Sequence, residues 1–205
     1  MSAPTKTSTI DFAAADGTAL VGDLAVPPAP RAAAIVCHPH PQYGGDRHNA
    51  VVSALFEALP PAGIAALRFD FRPDFDDGRG EALDAAAALA VLEDAVPDVP
   101  LIATGYSFGA AIALALDDSA IAAKFLIAPP LAMITTPPGN AVPTLVLTPE
   151  HDQFSPPAAS VPIVDSWPMA DHETIAGADH FLVGRAADTA REAVASLDRW
   201  LSSLA

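Results

Sequence analysis

The stretch GYSFGA, residues 105–110, stands between an apolar run, PLIAT (100–104), and an alanine-rich one, AIALAL (111–116). An apolar strand that turns directly into a helix at Gly-x-Ser-x-Gly is the setting of a nucleophile elbow. The glycines relieve crowding in a sharp turn, so Ser107 can hold a strained backbone with its hydroxyl exposed at the C-terminal edge of a sheet. The helix start behind it offers unpaired N–H groups and a dipole that favours negative charge. The plainer alternative is a serine that caps the helix. Because the five-residue pattern also occurs in ordinary glycine-rich turns, the rest of the chain has to decide.

Outward from this stretch, short β-rich runs and alanine-rich helical runs alternate. TSTIDF (7–12) and TALVGDLAVP (18–27) read as an N-terminal hairpin turning at Asp16-Gly17. RAAAIVCHPH (31–40) is apolar enough for a strand buried on both faces. Residues 46–63 read as a helix with Asp46 as N-cap and Pro60, Pro61 and Gly63 as stop signals. Strand 64–71, helix 80–95, strand 99–107, helix 108–118 and strand 121–130 follow, then strand 142–150, strand 172–180 and a terminal helix over 185–205. PAPR (28–31), TTPPGN (135–140) and SPPAAS (155–160) read as proline-rich loops. Strict alternation predicts one α/β domain over 1–205, a mostly parallel sheet with helices on both faces.

A serine hydroxyl is a poor nucleophile at neutral pH and needs a histidine base oriented by a carboxylate. VPTLVLTPEHDQFSPP (142–157) places Glu150 and Asp152 just beyond an apolar strand, where either could orient a base or cap a turn. The preceding strand end, LIAPPLAM (126–133), has no carboxylate. IAGADHFLVGR (175–185) supplies His180 after the last strand. His48, inside the first helix, His172, at the head of a strand, and His151 are weaker candidates. The order serine, acid, histidine is one that this architecture uses.

A second constellation is CHPHPQYGG (37–45), at the end of the first central strand. A backbone N–H from this loop could join that of Phe108 to hold an oxyanion. Pro39 and Pro41 lack the donor, which leaves His40, Gln42 or Tyr43; His40, two residues past the strand-end His38, is the choice. Reading His38 and His40 as metal ligands lacks support, because no cysteine follows and no His-Glu-x-x-His helix is present. Neither a metal nor a cofactor is expected.

Taken together, HPHPQYGG (38–45), RFDFRP (68–73), GYSFGA and GADHFL (177–182) resemble the small, lid-poor bacterial serine hydrolases of the α/β-hydrolase superfamily, carboxylesterase-like and dienelactone-hydrolase-like. The resemblance implies an α/β-hydrolase fold with little or no cap, a triad of Ser107, Asp152 and His180, and hydrolysis of carboxylic esters of small molecules. It also implies that His40 and Phe108 donate the oxyanion hydrogen bonds. FRPDFDDGRG (71–80) departs from the family pattern, losing a glycine and gaining Asp74, Asp76 and Asp77, which read as a solvated loop or, less simply, a cation site. LAMITTPPGNA (131–141) is short where larger relatives insert a cap, so the site should be open. Gln42, Tyr43, Tyr106, Leu131, Met133, Phe154 and Phe181 are candidates for its substrate pocket. A thioesterase or small-peptide hydrolase would use the same residues; a non-catalytic binding protein would typically have lost one of the three.

Composition bounds the partners. In 205 residues with 51% hydrophobic content there is material for one substantial core, and the net charge of −15 repels phosphate backbones and anionic lipids. Nucleic acid and membrane are therefore not expected partners, and a monomer or homodimer is. A single cysteine, Cys37, allows no internal disulfide. With no signal-peptide pattern at the start, a cytoplasmic location is the expectation.

Overall fold

The computed structural model describes residues 5–133 and 141–203. In chain order the elements are β1 (Lys6–Ala13), β2 (Ala19–Val26), β3 (Ala32–Cys37), α1 (Ala50–Ala58), β4 (Ile64–Phe69), α2 (Arg79–Ala95) and β5 (Leu101–Tyr106). They continue with α3 (Phe108–Ala115), β6 (Ile121–Ile127), β7 (Thr144–His151), α4 (Pro157–Val164), β8 (Ala170–Asp179) and α5 (Ala186–Ser203). The strands form one eight-stranded sheet in the order β1-β2-β4-β3-β5-β6-β7-β8. The β1–β2 and β2–β4 pairs are antiparallel and all the others parallel. No described helix is long and apolar enough to cross a membrane.

Strand β3 shows why the sheet carries two cores. Every residue of AAAIVC is buried. Ala33, Ile35 and Cys37 join the cluster that contains Ala85, Leu89 and Leu92 of α2, whereas Ala34 and Val36 join that of Val52 and Leu55 of α1 and Ala193 and Leu197 of α5. A period of two thus delivers alternate residues to opposite helical layers. The apolar face of α5 is covered by the sheet and α1 along Ala190, Ala193 and Leu197; Leu204 and the TTPPGN loop lie outside the described residues.

Local readings are corrected at two places. The first helix starts at Ala50, capped by Asn49, whose side chain accepts from the Val51 N–H. Asp46 instead accepts from the His48 N–H at 2.8 Å, so His48 lies in the turn before the helix. SPPAAS is not all loop: Pro157 occupies the first helical position, where its missing N–H is no loss, and α4 runs from there. The strand β6 carries a buried Lys124 that its apolar neighbours disguise. Its ammonium caps the end of α3, donating to the Leu114 and Leu116 carbonyls at 2.6 and 2.7 Å.

The acidic segment after β4 is anchored rather than free. Arg72 makes bidentate contact with the fully buried Asp84, and its own N–H also donates to that carboxylate at 2.9 Å. Its remaining arm reaches Asp16 in the hairpin turn at 2.9 Å. Glu81, also fully buried, accepts from the Asp76 and Gly78 N–H groups at 3.0 and 2.9 Å, which closes the loop onto the start of α2. Removing one partner of a buried ion pair strands the other. Asp84→Ala is therefore expected to lower the unfolding free energy by about 3–5 kcal/mol in urea titration. A loss within the range of an exposed pair, under about 1 kcal/mol, would show that water replaces the carboxylate.

Candidate active site

The elbow between β5 and α3 holds Ser107 at φ 54°, ψ −118°, a conformation that costs a non-glycine residue about 1–3 kcal/mol. Packing enforces it. A Cβ on Gly105 would sit 2.4 Å from the Gly109 backbone, and one on Gly109 would sit 2.3 Å from the Cys37 carbonyl oxygen. Only glycines let β5, α3 and the end of β3 approach this closely. The Ser107 N–H is tied to the Ile127 carbonyl at 2.9 Å, and its side chain makes no capping hydrogen bond. The plain capping reading therefore fails.

The Ser107 hydroxyl meets His180 Nε2 at 2.9 Å. His180 follows β8, and its Nδ1 lies 2.8 Å from Asp152 Oδ2, in the turn after β7. With Nδ1–H given to the carboxylate, the neutral ring leaves Nε2 as an acceptor for the serine proton. Asp152 is 3% exposed, and its other oxygen accepts from the Phe154 and Ser155 N–H groups, both at 2.8 Å. Burial opposes its ionisation, but the bonds from His180, Ser155 and Phe154 outweigh that and hold its pKa below the usual carboxylate value. Glu150, the rival acid, is exposed and accepts from the Gly177 N–H at 2.8 Å.

The loop after β3 lies against the same elbow. The His40 ring centroid is 4.8 Å from that of Phe108. The N–H groups of the alternatives are spent inside the loop: Gln42 donates to His40 Nδ1, Tyr43 and Gly45 to the His40 carbonyl, and Gly44 to that of Pro41. His38 is no free ligand either. Its Nδ1 lies 2.6 Å from the Pro39 carbonyl and its Nε2 accepts from the Phe71 N–H at 3.0 Å, and burial pushes its pKa down. Among the described residues no three His, Cys, Asp or Glu side chains are grouped to hold a metal ion.

No family model matches the chain. A solved structure from Agrobacterium tumefaciens, a protein of unknown function provisionally classed as an alpha/beta hydrolase, is 31% identical, with 96% of this chain and 97% of that one covered at a TM-score of 0.84. The chain belongs to the α/β-hydrolase family. It is also similar to a serine hydrolase without lid from Xanthomonas campestris, 27% identical, covering 98% of this chain and 97% of that one at a TM-score of 0.85. An alpha-beta serine hydrolase homologue from Coxiella burnetii is 28% identical, covering 93% and 97% at a TM-score of 0.82. Over 90 residues the chain is 41% identical to an uncharacterized protein of Rickettsia prowazekii (strain Madrid E), a match that spans 40% of this chain and 38% of that protein.

In this hydrolase the pocket candidates separate into two groups. Tyr106 and Leu131 are buried in the core, which corrects their reading as substrate contacts. The Tyr106 hydroxyl donates to the His180 carbonyl at 2.7 Å and so helps to seat His180. Gln42, Tyr43, Met133, Phe154 and Phe181 are exposed. A pocket of about 330 Å³ opens beside Phe108 between α3, residues 77–79 and Pro130, and a larger one of about 410 Å³ lies between α5 and the start of β7 and β8. Neither is lined by Ser107, Asp152 or His180.

Three contributors escaped the sequence reading. Gln153 accepts from the His180 N–H at 3.1 Å. Phe75, hidden among the aspartates of the acidic loop, brings its ring to 4.5 Å from His40 and 5.7 Å from Phe108. Glu81 holds the loop that carries it, and the only signal was an acid three residues beyond a helix-starting glycine.

Proposed function

We propose that the protein hydrolyses carboxylic esters of small molecules through an acyl-enzyme on Ser107. The observation that carries this reading is the unbroken hydrogen-bond relay from the strained Ser107 hydroxyl through His180 to the buried Asp152. In the proposed reaction His180 Nε2 takes the serine proton as Oγ adds to the ester carbonyl, and Asp152 stabilises the imidazolium that forms. The charge developing on the carbonyl oxygen is met by the Phe108 N–H at the start of α3 and by the His40 N–H, which, unlike those of Gln42, Tyr43, Gly44 and Gly45, is not spent inside the loop among the described residues. His180 then protonates the departing alcohol and activates water to release the acid. None of these steps calls on a metal or cofactor.

A fluorophosphonate probe is expected to label the protein once, at Ser107, and to stop turnover of p-nitrophenyl acetate and butyrate in proportion to labelling. Folded protein that turns over neither ester, or is labelled elsewhere, would overturn the reading.

A further inference from the structure

The ring of His180 is bordered by two phenylalanines. Phe154 meets it edge-on with centroids 4.5 Å apart and Phe181 at 5.6 Å, and the two phenyl rings stand 6.1 Å from each other. Both remain exposed to water, at 42% and 58%. Two adjacent exposed phenyl groups forgo burial that a core position would supply, so their place needs a reason other than packing. Their positions are set by the triad itself. The Phe154 N–H donates to Asp152 Oδ1, and Phe181 directly follows His180.

The chemistry assigns a direction to that ledge. In ester cleavage the bond from Ser107 Oγ to the carbonyl carbon forms and the bond from that carbon to the alcohol oxygen breaks. The electron pair leaves on the alcohol oxygen, and the proton that Nε2 took from Ser107 ends there. The leaving oxygen must therefore lie within hydrogen-bond reach of Nε2, and whatever it carries lies beside the His180 ring. The other aromatic group, His40, Tyr43, Phe75 and Phe108, surrounds the loop on the oxyanion side instead. The chain's net charge of −15 disfavours an anionic group on the alcohol.

The geometry points to Phe154 and Phe181 as the binding ledge for the leaving alcohol, and to an arylalkyl alcohol without an anionic group as the class that it selects. This rests on the ester-hydrolase reading above. The test compares 2-phenylethyl acetate with ethyl acetate. Both pass through the same acetyl-enzyme and release alcohols of similar acidity, so their ratio of kcat/KM reports the alcohol side alone. Wild type is expected to favour the phenylethyl ester about tenfold or more, Phe154→Ala to reduce that preference to within about threefold, and Phe154→Tyr to retain it. Because the readout is a ratio, any loss common to both esters through a disturbed His180 cancels.

A wild-type ratio near one with both esters turned over would overturn the ledge and leave ester hydrolysis standing, as would a preference unchanged in the Phe154→Ala, Phe181→Ala double variant. Folded wild type that cleaves neither acetate nor p-nitrophenyl acetate would remove the hydrolase reading and the ledge with it.

Discussion

Ser107→Ala is expected to lower kcat/KM for p-nitrophenyl butyrate by about 10⁴–10⁶-fold, while urea unfolding changes by less than about 1 kcal/mol. The two halves of that expectation have separate causes. In the proposed mechanism the hydroxyl is the atom that bonds to substrate, and no other described hydroxyl is hydrogen-bonded to His180 Nε2. Its structural cost is small because it caps nothing and makes no other side-chain bond. Alanine keeps the Cβ and so keeps the backbone strain at φ 54°. Ser107→Gly should be equally inactive and more stable than Ser107→Ala, since glycine adopts positive φ without penalty. Equal turnover by wild type and a folded Ser107→Ala would move the chemistry to another residue; a Ser107→Gly no more stable than Ser107→Ala would show that the elbow stores no strain.

Asp152→Asn is expected to cost about 10³–10⁴-fold in kcat/KM, and Glu150→Gln less than about twofold. The tautomer of His180 sets the difference. With asparagine, the carbonyl oxygen still satisfies the Phe154 and Ser155 N–H groups, so its NH₂ turns toward His180 Nδ1. The imidazole must then carry its proton on Nε2, aimed at the serine it should deprotonate. At Glu150 the amide of glutamine retains a carbonyl for the Gly177 N–H, and the exposed charge orients no base. Near-normal activity in Asp152→Asn together with loss in Glu150→Gln would exchange the two assignments. The pair is informative because the two acids are separated by a single residue, His151.

The order of elements was legible because each runs on its own period. The β3 stretch AAAIVC is apolar at every position, as a strand covered on both faces must be, and Pro60, Pro61 and Gly63 mark the stop that follows α1. Errors fell where a local signal had two meanings. Asp46 is as good an N-cap as Asn49 on paper, and it lost because the turn it closes comes first. SPPAAS reads as a loop until Pro157 is placed at a helix start, where its missing N–H is no loss.

The sequence by itself determined which residue types stand at which strand ends, and with them Ser107, Asp152, His180 and the His40 loop as candidates, because strand-turn-helix punctuation and residue chemistry are local properties. Only the tertiary structure decided that Asp152 rather than Glu150 reaches His180, that the Tyr106 hydroxyl is spent on the His180 carbonyl, and that Phe75 joins His40 and Phe108. Each of those outcomes depends on where residues from different strands and loops converge. That convergence is set by the register and twist of the sheet and by the buried anchors Asp84 and Glu81, distances in space that spacing along a chain does not encode.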